Sequence, residues 1–313
     1  MRVNEPASGA WHAGERLLQE RAGVAARMAE IGPRLLRDFM PEQHRAFFAE
    51  LPFVVAGTLA AEGQPWASLV AGPVGFAHSP TPQLLRLGAG ATWEEDVRGH
   101  LRVGAAIGLL GLQAHTGRRN RANGRIAAIV AQGVDIAVAQ SFGNCPKYIR
   151  PRQAFHAPTA TPARRSISGS LSADALRIVQ AADTFFIATA HPRASEANAG
   201  AGAGAEGVDV SHRGGPAGFV QVASDGRLLV RDYVGNTFFN TLGNLQLEPR
   251  CGLLFVDPSN GDRLQLAGRA ELLWEPQRQS AAPATERLLR IAVRQAVLVR
   301  GGLPLHWHVP AGE

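Results

Sequence analysis

The stretch from Val208 to Asp257 decides the fold: VDVSHRGGPAGFVQVASDGRLLVRDYVGNTFFNTLGNLQLEPRCGLLFVD. Three of its runs alternate in polarity and are rich in strand-forming residues: Gly218 to Val222, Arg227 to Tyr233 and Cys251 to Val256. Gly-Gly-Pro, Ser-Asp-Gly and Val-Gly-Asn triplets punctuate the stretch. Short alternating runs bounded by such turns predict a meander of β-strands.

A helical pattern interrupts these strands between Asn236 and Leu247. Phe238, Leu242 and Leu245 recur at spacings of four and three, which predicts a short helix with one buried face. Polar residues gather at the strand ends and turns around it: Ser211, Arg213, Asp232 and Asn236. A strand, strand, helix, strand unit that collects such residues predicts a binding site.

The order of short motifs in this stretch is similar to that of a known family. The order is Gly207-x-x-x-Ser211-x-Arg213-Gly-Gly, a strand ending near Asp232, Gly235-Asn236, and Asn244-Leu-x-x-x-Pro-Arg-x-Gly-Leu-Leu-Phe255. It resembles the split-barrel proteins that bind flavin mononucleotide (FMN), and among them the pyridoxamine 5'-phosphate oxidase-related branch. The resemblance implies barrels that pair, with the flavin at the seam in contact with both partners.

A second copy of the pattern lies earlier in the chain. The matched positions are Thr58 with Thr189, Gly72 to Phe76 with Gly215 to Phe219, Leu84-Leu85 with Leu228-Leu229, Gly108 to Leu110 with Gly252 to Leu254, and Gly124-Arg125 with Gly268-Arg269. The offset is 131 residues at the first pair, 143 at the second and 144 afterwards. The extra residues fall in the Gly/Ala-rich segment 195–207, which we expect to be a mobile loop. The pattern predicts an internal, tandem duplication.

These observations divide the chain into four segments. They are an N-terminal helical segment (1–52), a first split-barrel half with a degenerate site (53–150), a Pro-, Ser- and Thr-rich linker (151–171), and a second half with the main flavin site (172–313). The predicted fold class is mainly β with flanking helices (α+β), as two tandem split β-barrels that form a pseudo-dimer.

Helical patterns flank the predicted barrels. In the N-terminal segment Gly32-Pro33 breaks the pattern, and we expect these helices to cap the barrel without an active role. Pro41 suits the first turn of a second helix. Towards the C-terminus a helical pattern runs from Glu286 to Val299.

The two halves differ at the positions that could hold a phosphate. The second half offers Ser211, His212, Arg213 and Gly214, whose first-half counterparts are Ser68, Leu69, Val70 and Ala71. Likewise Asp232, Asn236 and Asn240 correspond to Gly88, Thr92 and Asp96. A phosphate needs converging cations and donors, and a carboxylate would repel it. We therefore expect at most one FMN per chain, held mainly by the second half.

The resemblance also implies a contribution from the first half across the seam. A polar residue on the strand before Gly124 would supply it, so Arg119 is the candidate, and Arg263 is its counterpart at the degenerate site. Lys147 is a second candidate. The complete predicted cofactor set is Ser211, His212, Arg213, Gly214, Val230, Asp232, Asn236, Asn240, Arg119 and Lys147. No catalytic residue is identified.

Structural alternatives stay open for several of these residues. Arg213 could be a surface arginine, and Asn236 could serve a turn that requires positive φ. The Arg118 to Arg121 run could be a solvated edge strand that deters aggregation. Cys145 before a proline could be a reactive thiol, but a plain buried cysteine is the favoured interpretation.

Composition narrows the class of protein. The chain has 313 residues, a formal charge of +6 and two cysteines, which favours a reducing compartment over a disulfide framework. Its arginines are dispersed, so we expect phosphate-bearing small molecules as partners and no nucleic acid. Without an apolar leader or span we expect no membrane partner and a cytoplasmic location. We expect no metal site, because the His306-x-His308 pair lacks further ligands.

The sequence thus predicts an FMN-binding flavoprotein, an oxidoreductase acting on a small-molecule redox substrate of unknown identity. One alternative is a flavin-binding or redox-sensing module without turnover. Another is a split barrel that binds haem or a deazaflavin. The assembly is left open, with a homodimer as one option.

Overall fold

The computed structural model describes residues 9–157, 163–196, 203–274 and 287–308. Its α-helices are α1 (Ala13–Arg21), α2 (Ala25–Leu35), α3 (Glu42–Ala49), α4 (Glu95–Arg98), α5 (Ala173–Ala181) and α6 (Asn240–Leu247). The first nine strands are β1 (Phe53–Leu59), β2 (Pro65–Ala71), β3 (Ala77–Thr81), β4 (Leu84–Gly88), β5 (Ala106–Gln113), β6 (Arg118–Val130), β7 (Gly133–Gly143), β8 (Gln153–His156) and β9 (Arg164–Ser168). The others are β10 (Thr184–Ala190), β11 (Val208–Gly214), β12 (Val220–Val222), β13 (Leu228–Arg231), β14 (Arg250–Val256), β15 (Arg263–Trp274), β16 (Arg287–Arg300) and β17 (Leu305–His308).

The two large sheets have the same strand order. In the first half it is β2-β1-β5-β6-β7-β4-β3, and in the second it is β11-β10-β14-β15-β16-β13-β12. The strand β9 adds to the second sheet by pairing with β16. The protein is therefore mainly β with flanking helices, as predicted, and consists of two split barrels. The shared order is the arrangement that the predicted repeat requires.

Glycines at equivalent positions let the two barrels approach closely. A Cβ on Gly108 of β5 would clash with the carbonyl of Val208, and a Cβ on Gly252 of β14 would clash with the carbonyl of Pro65. The two contacts are equivalent, because Gly252 lies 144 residues after Gly108 and Val208 lies 143 residues after Pro65. These are the offsets that relate the two halves in sequence. The seam thus has approximate two-fold symmetry, because each barrel presents the same strands to the other.

Hydrogen bonds across the seam follow the same symmetry. Arg121 of β6 donates through Nη2 to Ser211 Oγ and to the carbonyl before that serine. Its counterpart Gln265 of β15 donates through Nε2 to Ser68 Oγ at 2.7 Å and again to the preceding carbonyl. The backbone geometry of the seam is therefore retained while the side chains differ.

Each barrel has its own apolar core, and a third cluster fills the seam. The first core includes Phe47, Val54, Leu85, Ile107 and Ile136. The second includes Phe185, Leu228, Leu253, Leu266 and Ile291. The seam cluster includes Val55, Leu69, Leu110, Ala188, Val210 and Leu254. Burial of apolar residues from both halves in one cluster fixes the two barrels against each other.

The segment predicted as a C-terminal helix is a strand. Residues 287–300 form β16, which pairs with β15 on one side and with β13 and β9 on the other. Leu and Ala are good helix formers, but burial from Arg287 to Ala292 alternates with a period of two. The helix prediction was wrong because pairing on both sides of the strand outweighs local propensity.

Two further sequence predictions need correction. The linker contains strands: β8 pairs with β17 in a two-stranded ribbon, and β9 extends the second sheet. Pro33 does not break α2, because it lies near the end of a helix that continues to Leu35. Part of the predicted mobile loop, 197–202, lies outside the described residues, and Ala194, the residue just before the loop, is buried.

No helix in the described parts of the chain is long and apolar enough to span a membrane. The same residues contain no group of three or more His, Cys, Asp or Glu side chains placed to hold a metal ion.

Candidate functional site

A cavity at the seam is lined by both halves. The first half contributes β6 and the segment that follows β7, and the second contributes β11, the residues after β13, and α6. Its polar lining residues are Arg119, Arg121, Asn144, Lys147, Ser211, His212, Arg213, Arg231, Asp232, Asn236, Thr237, Asn240, Thr241 and Arg287. Its aromatic lining residues are Tyr148, Phe219, Tyr233 and Phe239. We call this cavity the seam pocket.

The structure brings nine of the ten predicted cofactor residues to the seam pocket: Arg119, Lys147, Ser211, His212, Arg213, Gly214, Asp232, Asn236 and Asn240. Their role as cofactor ligands stays a prediction. The tenth, Val230, is 1% exposed and belongs to the core of the second barrel. It points away because successive side chains of β13 alternate between core and surface, and Arg231 takes the outward position.

Arg119 reaches across the seam from β6. Its Nη1 lies 2.8 Å from Nδ1 of His212, and its Nη2 donates to the carbonyl of Cys145. Its buried Nε has no hydrogen-bond partner among the described residues. Burial, followed by repulsion from Arg121, lowers the pKa of Arg119 to about 10, so the side chain keeps its charge at neutral pH. It is a desolvated cation with one donor to spare.

His212 is the neutral partner of that cation. Burial, and then the charges of Arg119 and Arg213, hold the pKa of His212 well below its ordinary value. Because an arginine can only donate, Nδ1 of His212 must accept, and the proton of the neutral ring therefore lies on Nε2. The imidazole fixes the position of Arg119 without competing with it for an anion.

An ion cluster centred on Asp232 forms another wall of the pocket. Arg213 Nη1 lies 3.1 Å from Asp232 Oδ1, and Arg287 Nε donates to Asp232 Oδ2 at 2.8 Å. One carboxylate faces two guanidinium groups, so the cluster carries a net positive charge. The buried Nε of Arg213 has no partner among the residues described. Arg213 is therefore held in place with a donor still available.

Arg121 is buried at the centre of the seam and is only 2% exposed. It forms an ion pair with Asp209 at 2.8 Å, and its guanidinium carbon lies 5.3 Å from the ring centre of Phe142. The strand β6 runs between β5 and β7, not along an edge. The alternative of a solvated edge strand at Arg118 to Arg121 is therefore wrong, because this run lies in the middle of the first sheet.

The turn before α6 shapes a third side of the pocket. Asn236 Oδ1 accepts from the backbone N–H of Phe238 at 3.2 Å. The positive φ angles fall on Thr237 (62°) and Phe239 (64°), not on Asn236. Asn236 thus stabilises a tight turn through its side chain, which refines the turn alternative. Asn236 itself lines the pocket.

Asn240 connects the pocket to the N-terminal helices. Its Nδ2 donates to Glu15 Oε1 of α1 at 2.5 Å, and α1 packs directly on α6. Burial, and then the nearby Asp209, raise the pKa of Glu15 well above its ordinary value. The N-terminal segment therefore does more than cap a barrel, because it positions a side chain of the predicted site.

The segment after β7 carries first-half residues over the second barrel. A Cβ on Gly214 would overlap the carbonyl of Tyr148, so glycine is required where this segment crosses β11. Tyr148 has a φ of 65°, and its ring stacks on Tyr233 with centres 5.2 Å apart. Cys145 is half-buried and lines the pocket, so it is not the plain buried cysteine that the sequence favoured.

The chemistry of the pocket suits an anionic ligand. Among the described residues, six cationic side chains line it and only one carboxylate. Four buried donors there have no partner in the described parts of the chain: Nε of Arg119, Arg121 and Arg213, and Nδ2 of Asn144. Unpaired buried donors are costly, so a ligand that accepts from them would stabilise the protein.

The space in the pocket is small. Its volume is about 110 Å³, whereas ligand pockets usually measure about 300–1,000 Å³. A ligand with a ring system therefore requires lining side chains to move. Tyr148, which is 41% exposed, is the most exposed of the lining aromatic rings.

The equivalent position in the first half is closed by protein groups. Arg263, the counterpart of Arg119, is 2% exposed and donates through Nε to Glu94 Oε1 at 2.5 Å. Its Nη1 donates to the carbonyls of Gly261 and Gly301, both at 3.0 Å. Arg263 is thus satisfied by one carboxylate and two carbonyls.

Sequence reasoning missed two residues of the site. Arg287 lies at the start of β16, which was predicted as a helix, so its position beside Asp232 was not visible. Glu15 lies 225 residues from Asn240 and meets it only through tertiary packing. A glutamate three residues after His12, in a capping box at the start of α1, was the only local signal at that position.

One family profile matches the second half of the chain. Residues 171–301 match the profile of the family described as pyridoxamine 5'-phosphate oxidase. The match covers the second half of the chain and agrees with the resemblance that its sequence motifs carry. No curated protein sequence matches the chain.

Several solved structures resemble it at low identity. A putative pyridoxamine 5'-phosphate oxidase of Lactobacillus delbrueckii is 12% identical, with 41% of this chain and 94% of that chain covered and a TM-score of 0.30. The haem storage protein HutZ of Vibrio cholerae is 13% identical, with 42% and 96% covered and a TM-score of 0.27. An FAD-binding protein of Mesorhizobium loti is 16% identical, with 45% and 100% covered and a TM-score of 0.28.

Proposed function

We propose that the protein is a flavoprotein that binds one FMN per chain in the seam pocket. The observation that carries the proposal is the convergence of unpartnered, buried donors from both halves on a pocket with a surplus of cations. Arg213 and Arg119 would hold the phosphate, with Lys147 and Asn144 supplying further donors. Phosphate is the group that such an arrangement recognises best.

Bound flavin supplies hydride and single-electron transfer, and we propose that the protein uses it as an oxidoreductase on a small-molecule redox substrate. The chain's own residues bind and orient. Neutral His212 keeps Arg119 in place, and Asp232 keeps Arg213 and Arg287 in place. The buried ion pair of Arg121 with Asp209 holds the two barrels together behind the pocket.

The absorption spectrum of the purified protein tests the proposal. We expect flavin bands, and acid release should yield at most one FMN per chain because Arg263 already donates to Glu94 and to two carbonyls. Two FMN per chain would contradict the single site. Haem bands in the spectrum would show that the cofactor is haem and not FMN. Turnover of a reduced nicotinamide with oxygen then separates an enzyme from a binding module. Light scattering would show whether two chains pair as a homodimer.

A further inference from the structure

A second cavity lies beside the seam pocket, beneath the ribbon formed by β8 and β17. Its volume is about 490 Å³, which falls within the range of about 300–1,000 Å³ typical of ligand sites. Apolar side chains from both barrels and from the ribbon form its walls, including Phe53, Leu69, Leu112, Ile149, Phe186 and Trp307. We call it the ribbon cavity.

The polar lining of the ribbon cavity has an excess of positive charge. Arg152 donates through Nη2 to Asp183 Oδ2 at 2.5 Å, but its enclosed Nε has no partner among the described residues. Among the described residues, the neighbouring Arg150 makes two long hydrogen bonds, both of 3.4 Å to the carbonyl of Gly215. Arg152 thus keeps one unpartnered donor although Asp183 matches its charge, and Arg150 is the less engaged guanidinium group beside the apolar chamber.

The one carboxylate of the lining is already engaged. Glu50 accepts from Gln113 Nε2 at 2.9 Å and lies 3.9 Å from Arg118 Nη1. Its charge is matched by Arg118, and that of Arg152 by Asp183, so the charge of Arg150 is left uncompensated among the residues described. A ligand that complements the ribbon cavity needs an apolar body and one anionic group.

We propose that the ribbon cavity binds a small carboxylate with an apolar tail, the carboxylate on Arg152 and Arg150 and the tail between the barrels and the ribbon. A carboxylate matches the planar donors of a guanidinium group. Trp307 and Phe186 provide the apolar contacts for the tail. This site is separate from the flavin site and does not depend on bound FMN.

The ribbon cavity shares His212 with the seam pocket. The ring of His212 meets Phe186 edge-on at 5.7 Å on the ribbon side, and its Nδ1 meets Arg119 on the other side. A ligand in the ribbon cavity therefore lies against the residue that positions Arg119. The two sites are neighbours separated by a single imidazole.

Calorimetric titration of the purified full-length protein with octanoate, and with 1-octanol as the uncharged probe, tests the proposal. We expect octanoate to bind at least about tenfold more tightly, because a charge-assisted contact is lost in the alcohol. Hexanoate, octanoate and decanoate should differ by about fourfold in affinity per added methylene, as burial of a CH₂ group predicts.

Variants locate the site. Arg152→Gln should weaken octanoate binding about tenfold or more, and Ala154→Phe, in the ribbon, should weaken it by filling the space. Arg290→Gln, which alters an exposed ion pair on another face, should change nothing. FMN content should be the same in all three, since none of these residues lines the seam pocket.

Three results would overturn the proposal. They are no heat of binding for any of the acids, equal affinity for octanoate and 1-octanol, and unchanged octanoate affinity in a folded Arg152→Gln protein. If Arg152→Gln does not fold, two measurements still test the proposal. They are the affinities of the wild-type protein for octanoate and 1-octanol, and the octanoate affinity of Ala154→Phe. A protein without FMN that binds octanoate would refute the proposed flavin site alone.

Discussion

The two barrels share a backbone and differ in what they place at their common seam. At one position Arg121 bonds to Ser211, and at the equivalent position Gln265 bonds to Ser68. Arg119 faces a pocket with a donor to spare, whereas its counterpart Arg263 is enclosed by protein acceptors. The strand order sets the geometry of the seam, and a few side chains decide whether it becomes a ligand site. The proposed ligand site is thus asymmetric on a nearly symmetric scaffold.

The largest effect is expected at Arg263, whose position in the seam is closed by protein acceptors. Arg263→Ala leaves Glu94 and two carbonyls without their buried cation, so the free energy of unfolding should fall by about 3–5 kcal/mol. Chemical denaturation measures it, and FMN affinity of the folded fraction should not change. Arg290→Ala, which removes an exposed pair with Glu271, should cost less than about 1 kcal/mol. A loss of FMN affinity in Arg263→Ala would mean that the first half also holds a ligand.

Arg119→Ala tests the seam pocket, where Arg119 keeps a donor that has no partner among the described residues. This change should weaken FMN binding by about 1.5–3 kcal/mol, or roughly ten- to a hundredfold, because a charge-assisted contact from the first half is lost. Arg213→Ala should do at least as much. Titration of each apoprotein with FMN gives the affinities, with Arg290→Ala as the matched control. Unchanged affinity in Arg119→Ala would confine the cofactor to one half or exclude it from the seam.

A third prediction uses one position at which the halves differ by a methyl group. The second half has Gly214 where the first has Ala71, because the carbonyl of Tyr148 crosses only β11. Gly214→Ala should cost about 1–3 kcal/mol of stability through overpacking and should lower FMN affinity as well. Thermal unfolding and FMN titration measure the two effects.

Gly169→Ala is the control for that change, since a Cβ there meets nothing within 4 Å and no positive φ is involved. If Gly214→Ala left both stability and FMN affinity at wild-type values, the crossing segment would not pack on β11 as the structure shows.

The sequence predicted the scaffold better than the details of the site. The repeated strand order was predictable because glycines and pairs of leucines recur in both halves at a nearly constant offset. The strand β16 was missed since its leucines and alanines favour a helix until neighbouring strands pair with it. Val230, predicted to contact the cofactor, faces the core of the second barrel, because the alternation of β13 turns Arg231 outward instead. Glu15 could not be found, because no local pattern links α1 to Asn240.

The smallest expected effect concerns His212, whose counterpart in the first half is Leu69. Its pKa is held below the ordinary value of 6.5 by burial and by Arg119, so the folded protein keeps the ring neutral while the unfolded chain takes up a proton. The stability that His212 contributes is therefore complete above about pH 6.5 and is lost as the pH falls below it. Between pH 7.5 and pH 5.5 the free energy of unfolding should drop by about 1 kcal/mol through this group.

Other buried histidines with lowered pKa values, such as His44 and His191, add to the same slope, so a variant must isolate His212. His212→Asn removes the titration but keeps an acceptor for Arg119, because its Oδ1 replaces Nδ1. Denaturation at both pH values should show a smaller drop in His212→Asn than in the wild type, by about 1 kcal/mol. His212→Leu, the side chain that the first half carries, should show the same reduced drop from a lower starting stability, since Arg119 then loses its partner. Equal drops in the wild type and His212→Asn would mean that the imidazole is not kept neutral between the two pockets.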